Sequence, residues 1–424
     1  LINQELTINK STPILAALPL AVLVGIFIER DAGLFGITLL SVFDFIGALF
    51  LNALKMVIVP LIMSSIIVGM SGLGTAEQLG RLGGKTIAYY TMTSLIAIVV
   101  GVFMANLIQP GVVTGDPTTV FGLNADTATI AAQLSDKTGG DVIDVFLRMI
   151  PPNIIAAAAE GQMLGLIFFS LLYGFFINKL TDINSQAQRL FFSGMFDIML
   201  HITHLIMRFA PIGVFALVAK TVMNTGLDVF WPLAQFFITV VLGLAIHAFI
   251  ILPLLLFVIG RINPVRHYSA MSAALLTAFS TASSSATLPV TMECIEKNAG
   301  VSNRISSFVL PLGATVNMDG TALYECVAAL FIAQAYGLEL TFATQFTIVL
   351  LALLTSIGVA GIPAASLVAI AVILGAIGLP LEGIGLILAV DRILDMLRTA
   401  VNVLSDTCGA VMIAQSEGEI TSGK

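Results

Sequence analysis

The amino-acid sequence predicts an all-α polytopic membrane protein, with eight transmembrane helices plus two re-entrant helical hairpins arranged as inverted repeats. Three observations predict it. Of 424 residues, 58% are hydrophobic and only 10% charged, against roughly 25% charged in a soluble domain. Apolar runs of about 20 residues or more, long enough to cross a bilayer, recur along the chain. Two further apolar stretches are broken in the middle by Gly, Pro, Ser and Thr.

Taken in order, spans are expected at 12–28, 43–70, 86–108, 142–177, 190–223, 230–259, 306–335 and 384–414. Several exceed the 17–25 residues a straight crossing needs, so they must tilt, kink or break. Pro60, the Pro151-Pro152 pair and Pro211 mark candidate breaks. The polar, Asp/Thr/Gly-rich segment 109–140 reads as an external loop. Leu1–Lys10 is polar and carries no cleavable signal pattern.

The two interrupted stretches are 270–292, with Ser280–Pro289 at its centre, and 346–374, with Ser356–Ser366 at its centre. Each places apolar helical arms around a small, polar tip. Non-helical backbone at membrane depth is tolerated only inside protein or along a cavity. Paired broken segments at corresponding positions point to a binding site between inverted repeats. The competing reading is two ordinary spans with small-residue packing faces.

With both stretches re-entrant, one side holds Lys10, Arg81, Lys85, Lys179, Arg189, Arg261, Arg266, Lys297, Arg304 and Lys424. The other holds Arg30, Lys137 and Lys220. This bias predicts both termini in the cytoplasm. A net charge of −7 without a cationic cluster argues against nucleic acid as a partner. Cys294, Cys326 and Cys408 lie in apolar segments and read as core residues.

The last span carries Asp391, Asp395, Arg398, Asn402 and Asp406. At about 100° per residue these fall within an arc of roughly 80°, on one helix face. Each charge at bilayer depth costs about 2.5–3.5 kcal/mol on insertion scales, so the stripe needs partners or a bound polar solute. Arg398 suits a carboxylate bidentately, and Asp395 suits an ammonium. Together they imply a solute bearing both. The alternative is an intrahelical ion pair at i, i+3.

Between the hairpins, Asn317-Met-Asp319-Gly-Thr321 interrupts an apolar helix. Carboxylate, amide and freed carbonyl oxygens there are hard-cation ligands. The serines 283–285 offer hydroxyls and helix-end amides to a carboxylate; a nucleophilic serine lacks an evident base. His201 and His204, at i and i+3, are either metal ligands or polar packing. Glu325, deep in the same apolar helix, reads as a proton carrier or a permanently protonated donor.

These residues together resemble the dicarboxylate/amino acid:cation symporter family of glutamate and aspartate transporters. The likeness covers nearly the whole chain and rests on Ser283–Ser285, Asn317–Thr321, Ser356–Pro363 and Asp391–Asp406. It implies a scaffold (1–85 and 141–224), a third span (86–110), an external loop (111–140), and the rest of an elevator-type transport domain (225–424). Hairpins fall at about 265–298 and 340–376. It also implies a homotrimer in a bacterial inner membrane that acts as a symporter and not as an enzyme.

By position, the resemblance assigns the substrate side-chain carboxylate to Arg398 with Thr321, and the ammonium to Asp395 with Thr399. The α-carboxylate goes to Asn402 and Ser284, closed over by backbone near Ile362. One sodium site uses Asp406 with carbonyls of Gly313, Asn317 and Asn402. A second uses carbonyls of Thr315, Ser356, Ile357 and Val359. A third uses Tyr90, Thr93, Ser94, Asn317 and Asp319.

Arg398, Asp395 and Asp406 together favour sodium-driven uptake of acidic amino acids over neutral amino acid, amine-free dicarboxylate or purely proton-coupled members. Two departures from archaeal members stand out. Ala282 replaces an arginine before the serine run, with Arg392 a candidate substitute. Glu325 replaces a glutamine, which implies proton coupling. The alternatives are a proton-coupled carrier of acidic amino acids or dicarboxylates and, from another class, an anion channel or substrate-sensing receptor.

Overall fold

The computed structural model describes residues 17, 19–28, 32–34, 37–71, 79–113, 117–121, 147, 150–160, 163–226, 229–358 and 365–419. Their architecture is helical, apart from a two-residue antiparallel ladder pairing Gly33–Leu34 with Ile37–Thr38. After a helical stretch at 19–27 come α1 (Leu39–Ser71), α2 (Gly84–Ile108), α3 (Pro117–Phe121), α4 (Ile154–Ala159) and α5 (Met163–Ile177). Next are α6 (Asp182–Arg208), α7 (Ala210–Thr225), α8 (Phe230–Ile246) and α9 (Leu252–Val258). The chain continues with α10 (Pro264–Thr281), α11 (Ser284–Lys297), α12 (Asn303–Val316) and α13 (Asp319–Ala335). It closes with α14 (Phe342–Gly358), α15 (Ala365–Ile377) and α16 (Ile384–Ser416).

Prolines decide several boundaries differently from the expected spans. Pro60 is absorbed within α1. Within the span expected at 142–177, Leu147 is helical and a helix starts at Ile154 after Pro151-Pro152, where Asn153 caps the amides of Ile155 and Ala156. The span expected at 190–223 starts earlier, at Asp182, and breaks at Phe209 ahead of Pro211. Proline lacks the amide that would continue the ladder, and its ring crowds the preceding turn.

The helix pair around the serine run folds back on itself. Asn263 caps α10, with Pro264 in its first turn. α10 ends at Ala282, whose φ of 49° is left-handed, and Ser283 caps α11 by accepting from the Ala286 amide. The turn is therefore Ala282–Ser283, and Ser284 and Ser285 are the first helical residues after it. Pro289 lies within α11 and does not break it. α14 and α15 also pack together, but their connection at 359–364 lies outside the described residues.

Two packing groups are evident. α1 packs against α5, α6 and α7, while α2, α8 and α10 to α16 pack on one another around α13 and α16. Contacts of α7 with α16, and of α14 and α15 with α1, join the groups. By length and composition, three described helical segments can cross a membrane: 81–108, 230–258 and 303–335. The last is 94% buried over its apolar window against 39% for the other two, which makes it the central element. α2 instead turns Leu95, Val99, Phe103 and Leu107 outward at four-residue intervals. A continuous apolar stripe of this kind suits lipid or a second apolar face.

Candidate functional site

The site begins where the central helix breaks. α12 stops at Val316, Asn317 and Met318 adopt non-helical angles, and α13 restarts at Asp319. A restarted helix exposes first-turn amides that need acceptors. Asn402 of α16 supplies one: its Oδ1 accepts from Gly320 N at 2.8 Å and Thr321 N at 3.3 Å. Its Nδ2 donates to Thr321 Oγ1 at 3.0 Å. The break fits against α16 because Gly320 has no side chain. A Cβ there would lie 2.7 Å from the Arg398 carbonyl oxygen.

The five polar residues of α16 are all buried, as the stripe requires. Arg398 is wholly enclosed, and its Nη2 donates to Asp395 Oδ1 at 2.8 Å and lies 3.3 Å from Asp391 Oδ1. Its guanidinium carbon sits 3.8 Å from the Tyr324 ring centroid, a cation–π contact. Arg398 Nε and Nη1 find no hydrogen-bond partner among the described residues. The intrahelical pair is thus present, yet it uses one nitrogen of the fork. The two others, on either edge of the fork, keep N–H groups that can donate to a carboxylate. Thr399 Oγ1 donates back to the Asp395 carbonyl at 2.8 Å.

One turn further along α16, a second polar network forms. Asn317 Nδ2 donates to Asp406 Oδ1 at 2.9 Å and Ser405 Oγ at 3.0 Å. Ser405 Oγ donates to Asp319 Oδ2 at 2.6 Å, and Ser94 Oγ to Asp319 Oδ1 at 2.7 Å. Thr93 Oγ1 lies 3.4 Å from Asn317 Oδ1. Tyr90 closes one side, its hydroxyl donating to the Val309 carbonyl at 2.8 Å. A Cβ on Gly313 would fall 2.5 Å from Asp406 Oδ1 and 2.6 Å from the Tyr90 hydroxyl, so backbone and carboxylate meet closely there. Two enclosed carboxylates lined by hydroxyl and carbonyl oxygens suit a hard monovalent cation in donor type and charge.

The chain matches the sodium:dicarboxylate symporter family over residues 11–416. The chain belongs to that family. Members of this family are membrane transporters, which fits a chain that is not an enzyme. It is 36% identical over 415 residues to the proton/glutamate-aspartate symporter of Escherichia coli (strain K12), covering 98% of this chain and 94% of that one. It is also 36% identical to the proton/sodium-glutamate symport protein of Geobacillus stearothermophilus, over 89% of each chain. Human excitatory amino acid transporter 3 is 36% identical too, across 94% of this chain and 83% of its own length.

The fold brings together most of the residues the family resemblance implies. Arg398, Asp395, Thr399, Asn402 and Thr321 form one cluster; Tyr90, Thr93, Ser94, Gly313, Asn317, Asp319 and Asp406 form the other. Ser284 is buried in the first turn of α11, which packs on α16. The remaining sodium set draws on backbone carbonyls of α12, of α14 and of Val359 beyond it. The Thr315 side chain is exposed, Ser356 is buried and bonded to the Leu353 carbonyl, and Ile357 belongs to α14. Val359 and Ile362 lie outside the described residues. Glu325 is enclosed, with Oε2 accepting from Thr355 Oγ1 of α14 at 2.9 Å.

Three participants were not singled out from sequence. Tyr324 stacks on Arg398, Ser405 bridges Asn317 to Asp319, and His247 places Nε2 3.0 Å from Asp319 Oδ2. His247 opens a π-helical turn, His247–Ile251, between α8 and α9. A wide turn of this kind redirects one side chain out of the regular helical phase. The signal available was a single histidine in an apolar span. His201, by contrast, is exposed and bonds through Nδ1 to the Asp197 carbonyl, and the His204 side chain is outside the described residues. Cys294, Cys326 and Cys408 are buried free thiols.

Proposed function

We propose that the protein is a secondary-active, sodium-coupled symporter importing glutamate or aspartate, with proton coupling through Glu325. The observation that carries this reading is Arg398: a fully enclosed guanidinium, two of its nitrogens without partners among the described residues, beside Asp395. A carboxylate accepting from an unpartnered N–H of Arg398 balances the guanidinium, and an ammonium at Asp395 completes recognition of an acidic amino acid. The names of the bacterial and human relatives support the substrate class. Na⁺ and substrate stabilise the same closed arrangement, so each raises the other's affinity.

The sodium sites in this reading are the Asp406–Gly313–Asn317–Asn402 set, the Tyr90–Thr93–Ser94–Asn317–Asp319 set, and a set of carbonyls from Thr315, Ser356, Ile357 and Val359. Ser284 and backbone near Ile362 join Asn402 around the α-carboxylate. The α1/α5/α6/α7 group serves as a trimerising scaffold. The group around α13 and α16 moves as the elevator, with α10/α11 and α14/α15 as re-entrant hairpins. Both termini lie in the cytoplasm of a bacterial cell, below its inner membrane. The starts of α2 and α12 support a shared end for these helices: Arg81 and Lys85 bond Glu417, and Ser302 bonds Glu419, just after α16.

A second reading, proton-driven transport of the same substrates, is favoured by the Escherichia coli relative's name and by Glu325. Binding of labelled aspartate to purified wild type and to Arg398→Ala tests the substrate assignment. The variant is expected to lose acidic substrate; undiminished binding would remove Arg398 from the site.

A further inference from the structure

We infer that Asp391 and Tyr324 hold Arg398 in place so that Asp395 is free to exchange the guanidinium for the substrate's ammonium group. This is a positioning role, and it rests on the acidic amino acid reading above. The contacts around Arg398 are asymmetric. Asp395 pairs with Arg398 at 2.8 Å and also faces Arg392 Nη1 at 3.5 Å, on the side where Arg392 retains some exposure. Asp391 is anchored inward: its Oδ1 accepts from the Tyr324 hydroxyl at 2.9 Å and lies 3.3 Å from Arg398 Nη2. The same Tyr324 presents its ring to the guanidinium.

Charge accounting explains why two acids are needed. An enclosed guanidinium left without a counter-charge is strongly destabilising. Were Asp395 the sole partner, the ammonium of an incoming amino acid would have to strip Arg398 of its only carboxylate. With Asp391 in place, Arg398 keeps an anion while Asp395 changes partner. The tyrosine contributes twice. Its hydroxyl fixes the Asp391 carboxylate, and its ring fixes the plane of the guanidinium, leaving N–H groups on its edges open to a substrate carboxylate. A dicarboxylate lacking an amine makes no demand on Asp395, because it can accept from an unpartnered N–H of Arg398 while the Arg398–Asp395 pair persists. Asp391 therefore acts on specificity as well as affinity: it favours amine-bearing acids.

The test measures aspartate binding to the purified full-length protein in saturating Na⁺ for wild type, Asp391→Asn, Tyr324→Phe and the double variant, with succinate as an amine-free competitor. Asp391→Asn is expected to weaken aspartate about 10-fold and Tyr324→Phe about 3-fold, and the double variant to lose no more than Asp391→Asn alone, since neighbours acting through one group are non-additive. Succinate is expected to gain on aspartate in all three variants. Additive losses, or a loss in Asp391→Asn that is equal for both ligands, would overturn the inference and reduce Asp391 to packing. A wild type that binds no acidic amino acid would instead overturn the functional reading beneath it. Because Tyr324→Phe keeps the ring and its volume, it carries the comparison even where Asp391→Asn folds poorly.

Discussion

His247 and Asp319 meet at 3.0 Å with neither side chain exposed to solvent. A carboxylate only accepts hydrogen bonds, so with Asp319 ionised the proton lies on Nε2. The histidine thereby fixes one oxygen of Asp319 together with Ser405, while Ser94 engages the other. Asp319 is held at once from the π turn after α8, from α16 and from α2, which orients it within the second polar cluster. His247→Ala removes one such bond, worth about 1.5–3 kcal/mol to a charged group. The half-saturating Na⁺ concentration for substrate binding is expected to rise about 10-fold or more, with His247→Gln less affected. An unchanged Na⁺ dependence in both variants would detach His247 from cation binding.

Gly313 and Gly320 separate two kinds of crowding. A Cβ at Gly313 meets the Asp406 carboxylate and the Tyr90 hydroxyl, side-chain ends that can move aside. At Gly320 it meets the α16 backbone at Arg398, which cannot move without shifting a helix. Gly313→Ala is thus expected to retain the melting temperature within a few degrees while losing Na⁺-dependent binding. Gly320→Ala is expected to be destabilised by about 1–3 kcal/mol, the usual cost of overpacking. Thermal melts with and without Na⁺ distinguish the two.

The end of α16 forms a clamp that titrates. Glu417 bonds both Arg81 and Lys85 at 2.7 Å, and these hydrogen bonds hold its carboxyl down to about 2 from an ordinary 4.5. A depressed pKa stabilises the folded state above the unfolded value, and that stabilisation is lost as pH falls through the folded one. Glu417→Gln is expected to lower the melting temperature slightly and by a constant amount at neutral and mildly acidic pH. The difference from wild type then shrinks as pH falls from 4.5 towards 2. The contact is exposed on the Arg81 side, so added salt is expected to narrow the difference as well.

Glu325 and Thr355 link the central helix to α14 through a 2.9 Å hydrogen bond. Glu325→Gln keeps the shape of the side chain and removes the exchangeable proton. Exchange of internal for external aspartate is expected to survive, whereas net uptake falls and loses its pH dependence. Net uptake with wild-type pH dependence in this variant would reject the proton role.

The charged face of α16 was legible because five polar residues on one helical face have no place in lipid. The broken central helix was legible because Asn, Asp and Gly are poor helix-interior residues. The hairpin turn was placed only approximately. Ala282 takes the left-handed conformation there, which glycine or asparagine would have advertised and alanine does not. His247 was illegible for another reason. A lone histidine in an apolar run has no periodic signal, and its partner lies 72 residues further along the chain. Asp391 was visible as part of the stripe but unassigned until Tyr324, supplied by a different helix, appeared beside it.

Uptake by proteoliposomes of the purified protein tests the central claim most directly. With an inward Na⁺ gradient, labelled glutamate or aspartate is expected to accumulate inside above its external concentration, and dissipating the gradient is expected to abolish the accumulation. Accumulation driven equally by a proton gradient without Na⁺, or passive anion flux with no accumulation, would contradict sodium-coupled symport.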